Sequence, residues 1–248
     1  MCFYYTIKKK PATKLVKNKI ITNEQLQFIN EVSFVNGFEH PKMPVIIKQD
    51  NNEVEYANWG FLPTSVMEVQ DTSSFTDKYN TLNAKAETIE TSTLYAQAFK
   101  LQRCLIPASG FFEWRHINKE RIPYYISTTD DELFVFAGIY NHSIDAHGAT
   151  AHSFAIVTTP ANTLMEEIHN TKKRMPLILP SHEAALWLDA KQETAKLQSL
   201  IKPFESNLLK AHSVRKFSPA AILDINSIAE PYKYQHIPNL FEKPNTLF

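Results

Sequence analysis

Between residues 103 and 159 the chain carries five runs that read as β-strands: RCLIPA, GFFEWR, PYYIST, LFVFAGIY and SFAIVTT. Aromatic and β-branched side chains dominate them, and such residues suit a pleated, half-buried surface. Further strands read at CFYYTI (2–7), PVIIK (44–48) and VEYANWGFL (54–62), with the turn signal Asp50-Asn51-Asn52 between the last two. PLILP is a short one. Helical patterns are fewer. TNEQLQFINEV (22–32) has a capping Thr22 or Asn23 and apolar Leu26 and Ile29 on one face. TSTLYAQAFK (91–100), ANTLMEEIH (161–169), SHEAALWLD (181–189) and ETAKLQSLIK (193–202) read as the others. Many strands with few helices, not in βα alternation, predict an α+β fold with a β-rich core. No repeat or linker divides residues 1–248, so one domain is expected, its core at about 2–205. The pattern weakens beyond 205, and 206–248 reads as a loosely packed end.

Charge narrows the function classes. Lys plus Arg and Asp plus Glu both number 26, so any nucleic-acid binding must come from a local basic patch. No apolar run approaches a membrane span, and CFYYTI is too short for a signal peptide, so a cytoplasmic protein is expected. The two cysteines, Cys2 and Cys104, form no disulfide framework and fit a reducing compartment. The nine histidines are scattered, and there is no CxxC, HExxH, glycine-rich phosphate loop or GxSxG elbow. Neither a metal nor a nucleotide cofactor is expected.

Four residues could carry chemistry. Cys2 becomes amino-terminal if Met1 is removed. It would then bear an α-amine, with a pKa near ~7.7–8.0, beside a thiol. The amine can form a Schiff base with an aldehyde, and the thiol can close on the imine to give a thiazolidine. Position alone would make it an ordinary strand residue. Glu113 lies in ASGFFEWR, where alternation sets Phe111 and Glu113 on one face and Phe112 and Trp114 on the other. A carboxyl group among aromatics has a raised pKa and serves as an acid near neutrality; the plainer reading is an edge residue facing solvent. His169 ends a helix, where the dipole alone favours it, or acts as an acid/base facing a cleft. Lys172, Lys173 and Arg174 follow it as a solvated loop or a phosphate contact. Asn83, in TLNAKAET, reads as a turn residue on its own.

Together, Cys2 behind Met1, NWG (58–60), LNAKAET (82–88), CLIPASGFFEW (104–114), FAGIY (136–140), FAIVTTPAN (154–162) and IHNTKKRMPLIL (168–179) resemble the SRAP (SOS response-associated peptidase) family of abasic-site shielding proteins. The segments come in family order over residues 2 to about 190. The resemblance implies one compact α+β domain with a barrel-like, mainly antiparallel core, peripheral helices and a basic groove. It implies that Cys2, freed of Met1, links covalently to the aldehyde of an abasic site in single-stranded DNA. Asn83 would orient the opened sugar, Glu113 would shuttle protons, and His169 would assist as acid/base. Strand cleavage through the imine would be a side branch. Lys85, Trp59, Lys172, Lys173 and Arg174 would contact DNA, including single-strand/double-strand junctions. The protein would be a monomer, cytoplasmic and on the nucleoid when bound to damage. Two other readings stay open: a thiol autopeptidase using Cys2, Glu113 and His169, and a non-covalent DNA-binding module.

The chain also departs from the family pattern. Phe3-Tyr4 stand where the family has Gly-Arg, so a phosphate contact must move, to Lys8, Lys10 or Lys85. Many members have arginine where Lys85 stands, which keeps charge but loses the bidentate fork. GFEHPKMP (37–44) replaces an aromatic-Asn-x-x-Pro stretch. Ser65, Val66 and Met67 occupy positions where some members carry tryptophans that stack on bases.

Overall fold

The computed structural model describes residues 2–48, 51–69, 72–144, 150–218 and 224–241. Its strands are β1 (Tyr4–Ile7), β2 (Val32–Asn36), β3 (Lys42–Lys48), β4 (Asn52–Trp59), β5 (Asn83–Lys85), β6 (Arg103–Ala108), β7 (Gly110–Ile117), β8 (Glu120–Thr128), β9 (Phe134–Ile144), β10 (Thr150–Pro160), β11 (Arg174–Pro176), β12 (Ile178–Leu179) and β13 (Leu209–Ser213). The five runs of 103–159 are β6 to β10. They do not all join one sheet.

One sheet closes on itself. β10 pairs with β4, β4 with β3, β3 with β6, β6 with β9, and β9 with β10 again. This five-stranded ring is a barrel, which leaves those strands no free edge between them. Among the described residues only β10·β4 and β10·β5 are parallel. The second sheet is open, in the order β13-β8-β7-β1-β2. Its inner face packs on the barrel through Tyr5, which meets Trp59 edge-on at 5.2 Å and Phe136 at 6.0 Å. Trp59 stacks on Phe154 at 6.1 Å. All four rings are fully buried, each worth roughly 1.5–3 kcal/mol by area removed from water.

Arg103, buried at the start of β6, ties two helix ends to the barrel. It donates to the carbonyls of Phe99 and Lys100 at 2.6 and 2.5 Å, and of Trp187 and Asp189 at 2.6 and 2.5 Å. These carbonyls lie at the carboxyl ends of helices Ala96–Leu101 and Ser181–Leu188, where a cation is favoured.

Three expectations need correction. Residues 22–32 are not one helix: Thr22 and Gln25 cap each other, but only a 3-10 turn, Gln25–Phe28, forms. Val32 is drawn instead into pairing with Ile7. The predicted helix over 91–100 shortens to Ala96–Leu101. The segment beyond 205 is not loose throughout. β13 pairs along β8 from Leu209↔Thr128 to Ser213↔Tyr124, and Val214, Ile228 and Ala229 bury against Phe34, Phe112 and Tyr125. Residues 242–248 lie outside the described part, as do Met1 and Asp50. Among the described residues no helix is long and apolar enough to cross a membrane.

Candidate active site

The two sheets meet along a seam, and each contributes two of the four candidate residues. β1 lies between β2 and β7, with Tyr5 opposite Phe111 and Thr6 opposite Gly110. Continued toward the amino terminus, this antiparallel register carries Phe3 and Cys2 alongside Glu113 and Trp114. Asn83 and His169 arrive from the barrel, both attached to β10. Asn83 starts β5, which runs parallel to β10 with Asn83 opposite Ile156. His169 ends the helix Thr163–Ile168 that links β10 to β11. Asn162 caps that helix by accepting from the Met165 amide at 2.9 Å, and Leu164, Met165 and Ile168 bury its apolar stripe. His169 leaves helical geometry at φ −90°, ψ 49°.

All four side chains are nearly removed from solvent: Cys2 is 0% exposed, Glu113 5%, His169 7% and Asn83 9%. Asn83 Nδ2 donates to the Cys2 carbonyl at 2.9 Å, tying the barrel to the amino-terminal segment. His169 Nδ1 donates to the Arg174 carbonyl at 2.8 Å. That bond fixes the tautomer of the neutral ring, so Nε2 keeps its lone pair and faces Glu113 Oε2 at 3.8 Å.

Burial sets the protonation states. It pushes Glu113 up to about 7, against the opposing pull of the amino-terminal charge. It drives His169 down to about 4, with the same terminal charge adding to the effect. The Cys2 thiol is pushed up by burial first and by the Glu113 charge second. At neutral pH the site therefore holds a carboxyl group poised between its forms, a neutral imidazole and a thiol rather than a thiolate. Such a set can give and take protons around an amine nucleophile.

Glu113 and His169 open into a cleft of about 850 Å³, whose walls include Phe3, Phe38, Trp114, Arg121, Lys172 and Lys216. The structure sorts the expected DNA contacts. Lys172 lines this cleft, and Lys85 is exposed two residues past Asn83. Lys173 is exposed and 3.9 Å from Glu166. Arg174 is engaged by Glu87 and donates to the Thr158 carbonyl at 2.8 Å, a structural tie between β11 and β10. Trp59 is a correction: it is fully buried, its indole N–H bound to the Leu82 carbonyl at 2.9 Å, and presents no face to a ligand. Lys8 and Lys10 do not replace the missing arginine. Lys10 pairs with Asp131 at 3.3 Å, and the Lys8 ammonium lies over the Tyr125 ring, toward the far end of β1. Arg121, Lys216 and Phe38 were not singled out from the sequence. Arg121 stands two residues before the strand run PYYIST, and Lys216 sits in the basic pair Arg215-Lys216 behind β13.

Comparison with known proteins agrees with this geometry. The pattern of the family described as SOS response associated peptidase (SRAP) matches residues 1–217. The abasic site processing protein YoqW of Bacillus subtilis (strain 168) is 32% identical over 174 residues, covering 69% of this chain and 74% of its own length. The abasic site processing protein HMCES of Xenopus tropicalis is 32% identical over 169 residues, 60% of this chain and 49% of that protein. A crystal structure of a protein from Bacteroides thetaiotaomicron superposes with a TM-score of 0.79 at 32% identity, covering 94% of this chain and all of that one. With its ordered motifs, closed barrel and seam site, the chain belongs to the SRAP family.

Proposed function

We propose that this chain captures abasic sites in single-stranded DNA through a thiazolidine on Cys2. The observation that carries the reading is the placement of Cys2. Its carbonyl is held by Asn83, beside a carboxyl group near its titration point and a neutral imidazole, and those two groups line an open cleft. The relatives named as abasic site processing proteins supply the substrate class.

Once Met1 is absent, the neutral α-amine of Cys2 adds to the aldehyde carbon of the ring-opened sugar. The oxygen takes one proton from the amine and one from protonated Glu113 and leaves as water, and the last amine proton returns to Glu113, so an imine remains. The Cys2 S–H then adds across the C=N bond, sulfur to carbon and proton to nitrogen. One water is lost overall. The His169 Nε2 lone pair relays protons between the sugar hydroxyl and Glu113. Loss of a proton from the sugar at the imine stage would instead cleave the strand by β-elimination, a lyase side activity. A thiol autopeptidase is the weaker alternative: it needs an activated thiolate, and burial here disfavours one.

The test mixes purified protein with a single-stranded oligonucleotide bearing one abasic site. A denaturation-resistant adduct is expected, with the summed mass of the oligonucleotide and the Met1-free protein less one water. Cys2→Ala should give none. An adduct that survives Cys2→Ala would overturn the reading. Cys2→Ser and Cys2→Ala both keep the α-amine but lack the thiol, so without reductant neither should give the stable adduct and each should give at most a borohydride-trappable imine.

A further inference from the structure

Phe38 is 52% exposed, although it sits in a firmly held turn. The 3-10 turn Gly37–Glu39 is anchored at four points. Asn36 Oδ1 accepts from the Phe38 amide at 3.1 Å. The Gly37 amide donates to the Phe3 carbonyl at 2.9 Å. Gly37 lies against Trp59 so closely that a Cβ would stand 3.0 Å from the indole ring, so the turn cannot lift without vacating that contact. His40, in the left-handed region at φ 50°, donates from Nδ1 to the Trp59 carbonyl at 2.7 Å. The Phe3 ring packs on Phe38 at 4.8 Å, and Tyr4 lies 6.1 Å behind it. Phe3 directly follows Cys2, one Cα step of about 3.8 Å away.

A rigid aromatic pair beside a nucleophile, with Phe38 exposed and Phe3 half-buried behind it, is preorganised for a flat partner. Arg121 and Lys172 line the same cleft, so that partner carries negative charge. A nucleobase on its phosphate backbone has both properties. Resting on the function proposed above, we infer that Phe3 and Phe38 form a stacking ledge for the unpaired base next to the captured sugar. The chain thus grips DNA by a π-face beside Tyr4, the position where the family pattern puts an arginine.

The test separates the ledge from the covalent step. Oligonucleotides carry a tetrahydrofuran abasic analogue, which has no aldehyde, with 2-aminopurine on one flank or the other. The wild-type protein should quench 2-aminopurine on one flank. Phe38→Ala should remove the quenching and weaken binding about tenfold, and Phe38→Trp should restore both. Phe38→Leu keeps apolar area without a π-face and should behave like the alanine variant. Unchanged affinity and quenching in Phe38→Ala would overturn the ledge, as would full retention in Phe38→Leu or no quenching by the wild type on either flank. Deoxyribose 5-phosphate, a free aldehyde sugar with no base, serves as the chemical control. Its adduct on Cys2 should form equally in the wild type and in Phe38→Ala. No adduct in the wild type would sink the crosslinking reading while leaving the stacking measurement intact.

Discussion

Beneath the cleft, Cys2, Asn83, Glu113 and His169 are nearly removed from solvent, the last two lining it; at its rim, Phe38, Arg121 and Lys172 stand in solvent. The floor works through desolvation. Burial moves Glu113 and His169 in opposite directions, and neither shift would survive exposure. The rim works through reach, since a stacking face or a phosphate contact must meet its partner in the open. Chemistry and grip are therefore separable here, and substitutions should sort cleanly between them.

The largest effect should come from Cys2→Ala, with complete loss of adduct and non-covalent affinity unchanged in a tetrahydrofuran oligonucleotide titration. Loss of both would erase the division. Next, Glu113→Gln should slow adduct formation about a hundredfold or more in single-turnover kinetics. Wild-type rates should be bell-shaped in pH. They need a neutral amine, gained above ~7.7–8.0, and a protonated Glu113, lost above about 7. Glu113→Gln should abolish the alkaline limb, and its persistence would assign that limb to another group. At the rim, Arg121→Ala and Lys172→Ala should each weaken binding severalfold and lower the slope of log affinity against log salt by about one, with the rate of the bound complex unchanged.

The smallest effect is on stability. Glu113 binds its proton more tightly folded than unfolded. Its contribution is fully present below its ordinary carboxyl range and is lost as pH rises through about 7. His169 acts oppositely, losing its contribution as pH falls through about 4. Glu113→Gln should therefore stabilise the protein by about 1–3 kcal/mol at pH 8 and by little at pH 5, read from denaturant midpoints. Equal shifts at both pH values would deny that Glu113 carries charge in its buried place.

The floor was more legible in the sequence than the rim. Alternation along GFFEWR set Glu113 on one face with Phe111, though not which face is buried, and the helix pattern of ANTLMEEIH placed His169 at its end. These follow from local periods. The rim depends on which face of each element the other sheet covers, and no local period reports that. Trp59 reads as a DNA contact until the second sheet lays Tyr5 over it. Lys10 reads as a free cation until the turn before β9 brings Asp131 to it. Phe38 sits in a three-residue turn too short for any periodic signal. β13 was obscured because LKAHS has little apolar alternation and gains its place from pairing with β8.

The position of β1 between β2 and β7 also sets a schedule. The ribosome makes this strand first, yet it cannot take its place until residue 117 has emerged, and the site is incomplete until His169 follows. At ~5–20 residues per second, that leaves the amino-terminal end uncovered for on the order of ten seconds or more. Any enzyme that trims Met1 has this interval on the nascent chain to act, before Cys2 goes under. Slowing or speeding synthesis of the first 170 or so residues would then change how much of the protein leaves the ribosome competent.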